Sequence, residues 1–280
     1  MVARYVVKGC LRRRVFIAVP LLTIAFLLLY ALGTARAIEA VGGFDEGPAA
    51  IVDTRTVASS TMLGLSMFAT MFLGTILATF LTFTVVRGDA DQGLLQPLIV
   101  RPLGRAAFLI GRYLGAAAIA SLYVMVVFAG CVTITGAITG WWPDRLAEPA
   151  LLLAGAVALV ALISILGSVF FPTVVNGITV MMVFGSGLTA GLLQQIGGAL
   201  GSESLEALGR TAANVLPFEA LYQGSLHAIT ADLAGTTGFV VRLGPFGGGQ
   251  PLSAVLYAWF AIYFVLMLGA CLVAFDRKDV

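Results

Sequence analysis

The chain has 280 residues, 60% of them hydrophobic and only 11% charged. Soluble domains are about half apolar and about a quarter charged, so a water-borne globular fold is excluded. Intrinsic disorder is excluded as well, because it requires low hydrophobicity and high net charge. The net charge of +2 carries little by itself; the distribution of the charges carries more.

The first 14 residues are basic (Arg4, Lys8, Arg12, Arg13, Arg14) and partly apolar (Val2, Tyr5, Val6, Val7, Leu11). They predict a short amphipathic helix on the inner membrane surface, with its cations toward anionic headgroups. A helix needs about 20 apolar residues to cross the hydrocarbon core. Val15–Ala35 is the first stretch to meet that length with no Asp, Glu, Lys, Arg or His. Together with Ala35-Arg36-Ala37 it has the look of a secretory signal with a cleavage site. Its apolar run exceeds a usual signal core, so a retained span is expected. The loop Arg36–Ser60 holds Glu39, Asp45, Glu46 and Asp53 among Gly-Gly and Gly-Pro turns. No ligand spacing repeats there, and a solvated outer loop is expected.

The second span is Thr61–Val86, followed by the charged segment 87–112. The third, Tyr113–Gly140, ends on Trp141 and Trp142, rings favoured at a membrane interface. A short turn leads to the fourth span, Ala150–Phe171, and Pro172 and Asn176 force a tight reversal into the fifth, Val174–Leu193. Residues 194–252 are too long for a simple turn. Ser202 is placed as a helix cap with Glu203 in the first turn, and Leu205, Leu208, Ala212 and Val215 recur at helical spacing. Pro217 stops that helix and Phe218–Ile229 predicts another. Both are expected to rest on or dip into the outer leaflet. Ser253–Phe275 is the sixth span. Runs of this length without alternation argue against barrel strands of about ten residues.

Basic residues mark the inner side. With the N-terminus inside, Arg4, Lys8, Arg12, Arg13, Arg14, Arg87, Arg101, Arg105, Arg112, Arg277 and Lys278 are inner, and only Arg36, Arg55, Arg145, Arg210 and Arg242 are outer. Acidic residues divide the other way, and both termini are expected to face the cytoplasm. Cys10, Cys131 and Cys271 avoid the outer loops, so no disulfide framework is implied.

The sequence has no Walker-type phosphate loop, no H-E-x-x-H and no paired-Cys zinc spacing. No metal or cofactor is therefore expected on this chain. His227 is the one histidine and Asp232 its nearest carboxylate in sequence, a weak basis for hydrolytic chemistry. The span cores lack ionisable groups, which argues against a self-sufficient ion-driven carrier. Driving energy would have to enter from another subunit. Gly111-x3-Gly115, Gly136-x3-Gly140 and Gly187-x3-Gly191 place small residues on one helix face, a pattern that permits close helix packing.

Segment 87–112 reads Arg87-Gly-Asp89-Ala-Asp91-Gln-Gly93-Leu-Leu95-Gln-Pro97-Leu98-Ile-Val-Arg101-Pro102-Leu-Gly-Arg105, then Phe108, Gly111 and Arg112. Acidic residues lead, Arg residues follow, and Pro102 suits the first turn of a short helix feeding the third span. The pattern Asp91, Gly93, Leu95, Leu98, Arg101-Pro102, Arg105, Arg112 resembles the cytoplasmic loop of the type-2 family of ABC-transporter permeases. The resemblance extends over the layout: a basic amphipathic start, six spans, a long outer segment before the sixth, the stretch Leu216-Pro217-Phe218-Glu219-Ala220-Leu221-Tyr222, and the tail Phe275-Asp-Arg-Lys-Asp279. Asp91 stands where that family commonly has Glu, Leu94 where it has Ser or Thr, and Arg112 where it has Lys.

The resemblance implies an all-α integral membrane protein in the cytoplasmic membrane, a single permease domain over residues 1–280. It also implies a non-enzymatic chain whose ATP and Mg are bound by a separate ABC ATPase subunit, expected in two copies. A second permease subunit, identical or different, and membrane lipid are the other implied partners; nucleic acid is not. Asp89, Asp91, Arg101 and Arg105 would dock the ATPase, and Gly93 and Pro102 would shape the turn. The apolar interior suits export of a hydrophobic or amphipathic substrate. The alternatives are a non-transport scaffold or sensor that anchors a soluble partner by the same loop, and an intramembrane enzyme using His227.

Overall fold

The computed structural model describes residues 15–41, 53–83, 105–233, 235–243, 249 and 251–277. All regular structure among the described residues is helical. The helices are α1 (Val15–Val41), α2 (Thr54–Thr82), α3 (Arg105–Thr139), α4 (Ala147–Phe170), α5 (Thr173–Leu200), α6 (Glu203–Val215), α7 (Pro217–Thr230), α8 (Gly235–Leu243) and α9 (Ala254–Asp276). Six are long and apolar enough to cross a membrane: α1, α2, α3, α4, α5 and α9. The chain is a multi-pass membrane protein.

Two starts differ from the sequence expectation. α2 begins seven residues before Thr61, because Asp53 caps it: its side chain accepts from the Thr56 backbone N–H at 3.1 Å. That bond satisfies one of the open donors of a first helical turn and draws Arg55, Thr56, Ser59 and Ser60 into the helix. It also holds the Asp53 carboxyl below its ordinary range, the Thr56 side-chain bond being the main cause. α3 begins at Arg105 rather than Tyr113, since a helix continues through polar residues once it is nucleated. At its far end Gly140 takes φ +77° and its N–H bonds to Gly136 O, closing the helix in the left-handed conformation glycine favours.

α4 is the hub: it packs against α2, α3, α5, α7 and α9. In lipid the hydrophobic effect does not hold helices together; close packing and interhelical hydrogen bonds do. Small residues line α4 at Ala154, Ala156, Ala161, Ser164 and Ser168, all buried. Polar side chains join elements elsewhere. Tyr30 on α1 bonds Thr135 on α3 at 2.5 Å, Thr23 bonds Tyr123 at 2.8 Å, and Asn176 Nδ2 donates to Ser164 O at 2.9 Å across the α4–α5 reversal. α1 and α9 are peripheral, with Leu28, Leu32, Val265 and Leu266 exposed as in a lipid-facing surface.

The most consequential feature is the pair α6–α7. α6 runs back along α5: Gly197 lies against Glu206, and Gly209 against Gln194. Leu216 then breaks the helix, and Phe218 lands on Gly187. From Gln194 to Gly187 is seven residues of α5, so the hairpin turn sits roughly 10 Å down that helix. α7 climbs back against α4, and Asp232 beyond its end meets Arg145 at 3.1 Å. α7 is buried on nearly every side, with Phe218, Leu221, Tyr222, Leu226 and Ile229 all in the core. It is an inserted core helix rather than a surface one.

Candidate functional site

The segment that carries the family-like motif joins α2 to α3, two helices packed along one another. Asp89, Asp91, Gly93, Arg101 and Pro102 lie outside the described residues. Arg105 is the first residue of α3. The flanks are described: Phe80 and Phe83 pack edge to face at 5.4 Å at the end of α2, and the Arg112 guanidinium lies 5.8 Å from the Phe108 ring centre one turn into α3. The latter is an i,i+4 cation–ring contact that steadies the first turns.

The other end of the bundle brings together side chains from separate stretches. Asp53 N–H donates to Thr237 Oγ1, Arg145 pairs with Asp232, Tyr257 donates to Glu148, and Trp259 donates to Asn214 O. His227 Nδ1 lies 3.1 Å from Gly249 O. Asp232 is engaged by Arg145, so a His227–Asp232 catalytic pair gains nothing from the contacts present.

Beside these lies a cavity of about 280 Å³, between α5, α6, the start of α7 and the start of α9. Its rim is exposed: Arg210, Asn214 and Pro251. Its floor is Glu219, whose residue surface is 2% exposed. Gly191 makes room for the carboxylate, since a Cβ at that position would collide with Glu219 Oε1. Both glycines of the Gly187-x3-Gly191 stripe thus serve packing within the chain: Gly187 admits the Phe218 ring and Gly191 admits Glu219.

The carboxylate accepts a hydrogen bond from Gln223 Nε2 at 2.8 Å. Among the described residues no Lys, Arg or His nitrogen pairs with it. Arg210 lines the cavity, but its guanidinium is bound to Glu206 one turn away on α6. Burial without a counter-charge disfavours the ionised form, and it pushes the Glu219 carboxyl up to about 7, with the Gln223 bond pulling the other way. Tyr222 is raised too, first by burial and then by the neighbouring Glu219 charge.

Sequence reasoning did not single out Glu219 as a site. The available signal was a carboxylate two residues into a helix that otherwise reads Pro217-Phe218, Ala220-Leu221-Tyr222. Against protein-family models and against curated proteins, the sequence gives no match.

Proposed function

We propose that this chain is the transmembrane subunit of an ATP-driven ABC transporter, exporting a hydrophobic or amphipathic substrate and coupled to a separate ATPase through segment 87–112. The observation that carries the reading is the place of that segment. Its acidic-then-Arg-Pro-Arg pattern is bracketed by α2 and α3, two long helices that pack on each other and on the central α4. A short docking element at the end of such a pair passes a push from below into the bundle as a rigid-body movement. The asymmetry of the basic residues supports both termini and the docking segment facing the cytoplasm. A second permease subunit completes the pathway, and the ATPase supplies the energy, since a single buried carboxylate, Glu219 on α7, makes no proton relay through the six spans.

In this reading Asp89, Asp91, Arg101 and Arg105 form ion pairs with the ATPase, and Gly93 and Pro102 set the turn between them. The test is the double variant Arg101→Glu/Arg105→Glu, co-expressed with a candidate ABC ATPase that the parent chain captures. Membrane insertion and melting temperature should match the parent, while co-purification of the ATPase falls at least tenfold. ATPase recovery at parental yield would overturn the docking role. Parental recovery of the ATPase without substrate-stimulated ATP turnover in liposomes would favour a scaffold instead.

A further inference from the structure

The cavity floored by Glu219 is built for a ligand of definable chemistry. We infer that it binds a small monovalent organic cation, an ammonium group on a compact apolar body, with the Glu219 carboxylate as its anionic anchor.

Five observations converge on that class. The carboxylate is nearly fully buried, faces a cavity and has no cation partner among the described residues. A buried charge of this kind is costly unless something pairs with it. The site supplies one negative charge, whereas a Ca²⁺ site typically gathers six to eight oxygen ligands, several of them carboxylates. The neutral polar groups are amides: Gln194, Gln223 and Asn214, whose carbonyl oxygens accept from N–H donors. The remaining lining is Ala213, Ala220, Pro251, Leu252 and Leu256, which suits an apolar body. The volume of about 280 Å³ lies near the lower edge of small-molecule sites, about 300 Å³. Arg210 at the rim would repel a cation if it stood alone, but its charge is met by Glu206.

The charged groups around Glu219 define how pH acts on the site. On α6 they are Arg210 and Glu206, paired with each other. On α7 they are Tyr222 and His227, the latter turned to Gly249 O. α5 has no ionisable residue, and α4 has only Glu148, which is engaged by Tyr257 and lies 3.9 Å from Arg145. α9 offers Pro251, Leu252 and Leu256 at the approach and first turn. The proton on Glu219 is therefore the direct competitor of the ligand, and raising the pH through neutrality frees the anchor.

The assignment does not rest on an ATPase, and its test uses the full chain alone, purified in detergent. The probe is benzylammonium, which stays cationic near neutrality, titrated by calorimetry against benzyl alcohol and benzoate as neutral and anionic shape controls. With the Glu219 carboxyl at about 7, affinity for benzylammonium should rise about tenfold from about pH 6 to about pH 8. Glu219→Gln, which keeps the shape and the Gln223 contact, should lose at least tenfold at about pH 8 and show no pH dependence. Benzyl alcohol and benzoate should bind more weakly than benzylammonium to the parent chain, and this comparison stands even if the variant fails to fold. Undetectable benzylammonium binding, a preference for benzoate, or equal binding by parent and Glu219→Gln would overturn the assignment. None of these outcomes bears on ATPase capture, which the Arg101/Arg105 variant reads separately.

Discussion

Glu219 links one side chain to the stability of the whole bundle. Its carboxyl is raised from an ordinary value of 4.5 to about 7 by burial, so the folded chain prefers the protonated form. Stability from this group is complete below the unfolded value and is lost as pH rises through the folded value. The melting temperature in detergent should therefore fall between about pH 5 and about pH 8, by the equivalent of about 3 kcal/mol. Glu219→Gln should flatten that decline and melt higher than the parent at about pH 8. An identical pH profile for the two chains would show that the carboxylate is solvated. A second residue-scale consequence concerns Gly187. A Cβ there would stand 2.6 Å from Phe218 Cζ, and Phe218 is fully buried with no room to retreat. Gly187→Leu should cost about 1–3 kcal/mol by overpacking, measured as a lowered melting temperature. Gly185→Leu, on the same helix with open space beside it, serves as the control and should stay near the parent.

Among the elements, what was legible in the sequence and what was not follow one physical divide. Spans announce themselves by the absence of charge over about 20 residues, and all six candidate stretches coincide with long helices. Some of their ends do not (the starts of α2 and α3, the ends of α1 and α5), because the apolar run and the helix stop for different reasons, whereas α4 and α9 match to within three residues. The start of α2 is set by the Asp53 cap, and Arg55, Ser59 and Ser60 read as loop until that bond is seen. Ser202 stands at the N-cap position of α6, yet its side chain makes no capping bond. α7 was legible as a helix but not as a buried one. Glu219, Gln223 and His227 follow at intervals of four along α7, and in the fold they meet Gly191, the cavity and Gly249. The cavity itself is assembled from parts of α5, α6, α7 and the approach to α9. No local pattern marks residues that meet only after the chain has reversed several times.

For the whole molecule, the side of the membrane each end occupies is the property on which the transport reading depends. In a Cys10→Ser background, Asp144→Cys between α3 and α4 should react with a membrane-impermeant maleimide on intact cells. Arg277→Cys, just past α9, should react only after permeabilisation. Cys131 and Cys271 are buried and should stay silent. Labelling in the opposite sense would place segment 87–112 away from any cytosolic ATPase and end the transport reading.

The hairpin also divides the bundle along a seam. α6 is fastened mainly to α5, whereas α7 is fastened to α4, and the two meet at Leu216–Pro217, directly beside Glu219. A tilt of the α5–α6 leaf against the α4–α7 leaf must be absorbed at that joint, and the hollow at the joint widens or narrows with it. A guest in the hollow would touch both leaves at once, α5 and α6 through Gly191, Gln194 and Arg210, and α7 through Glu219 and Gln223.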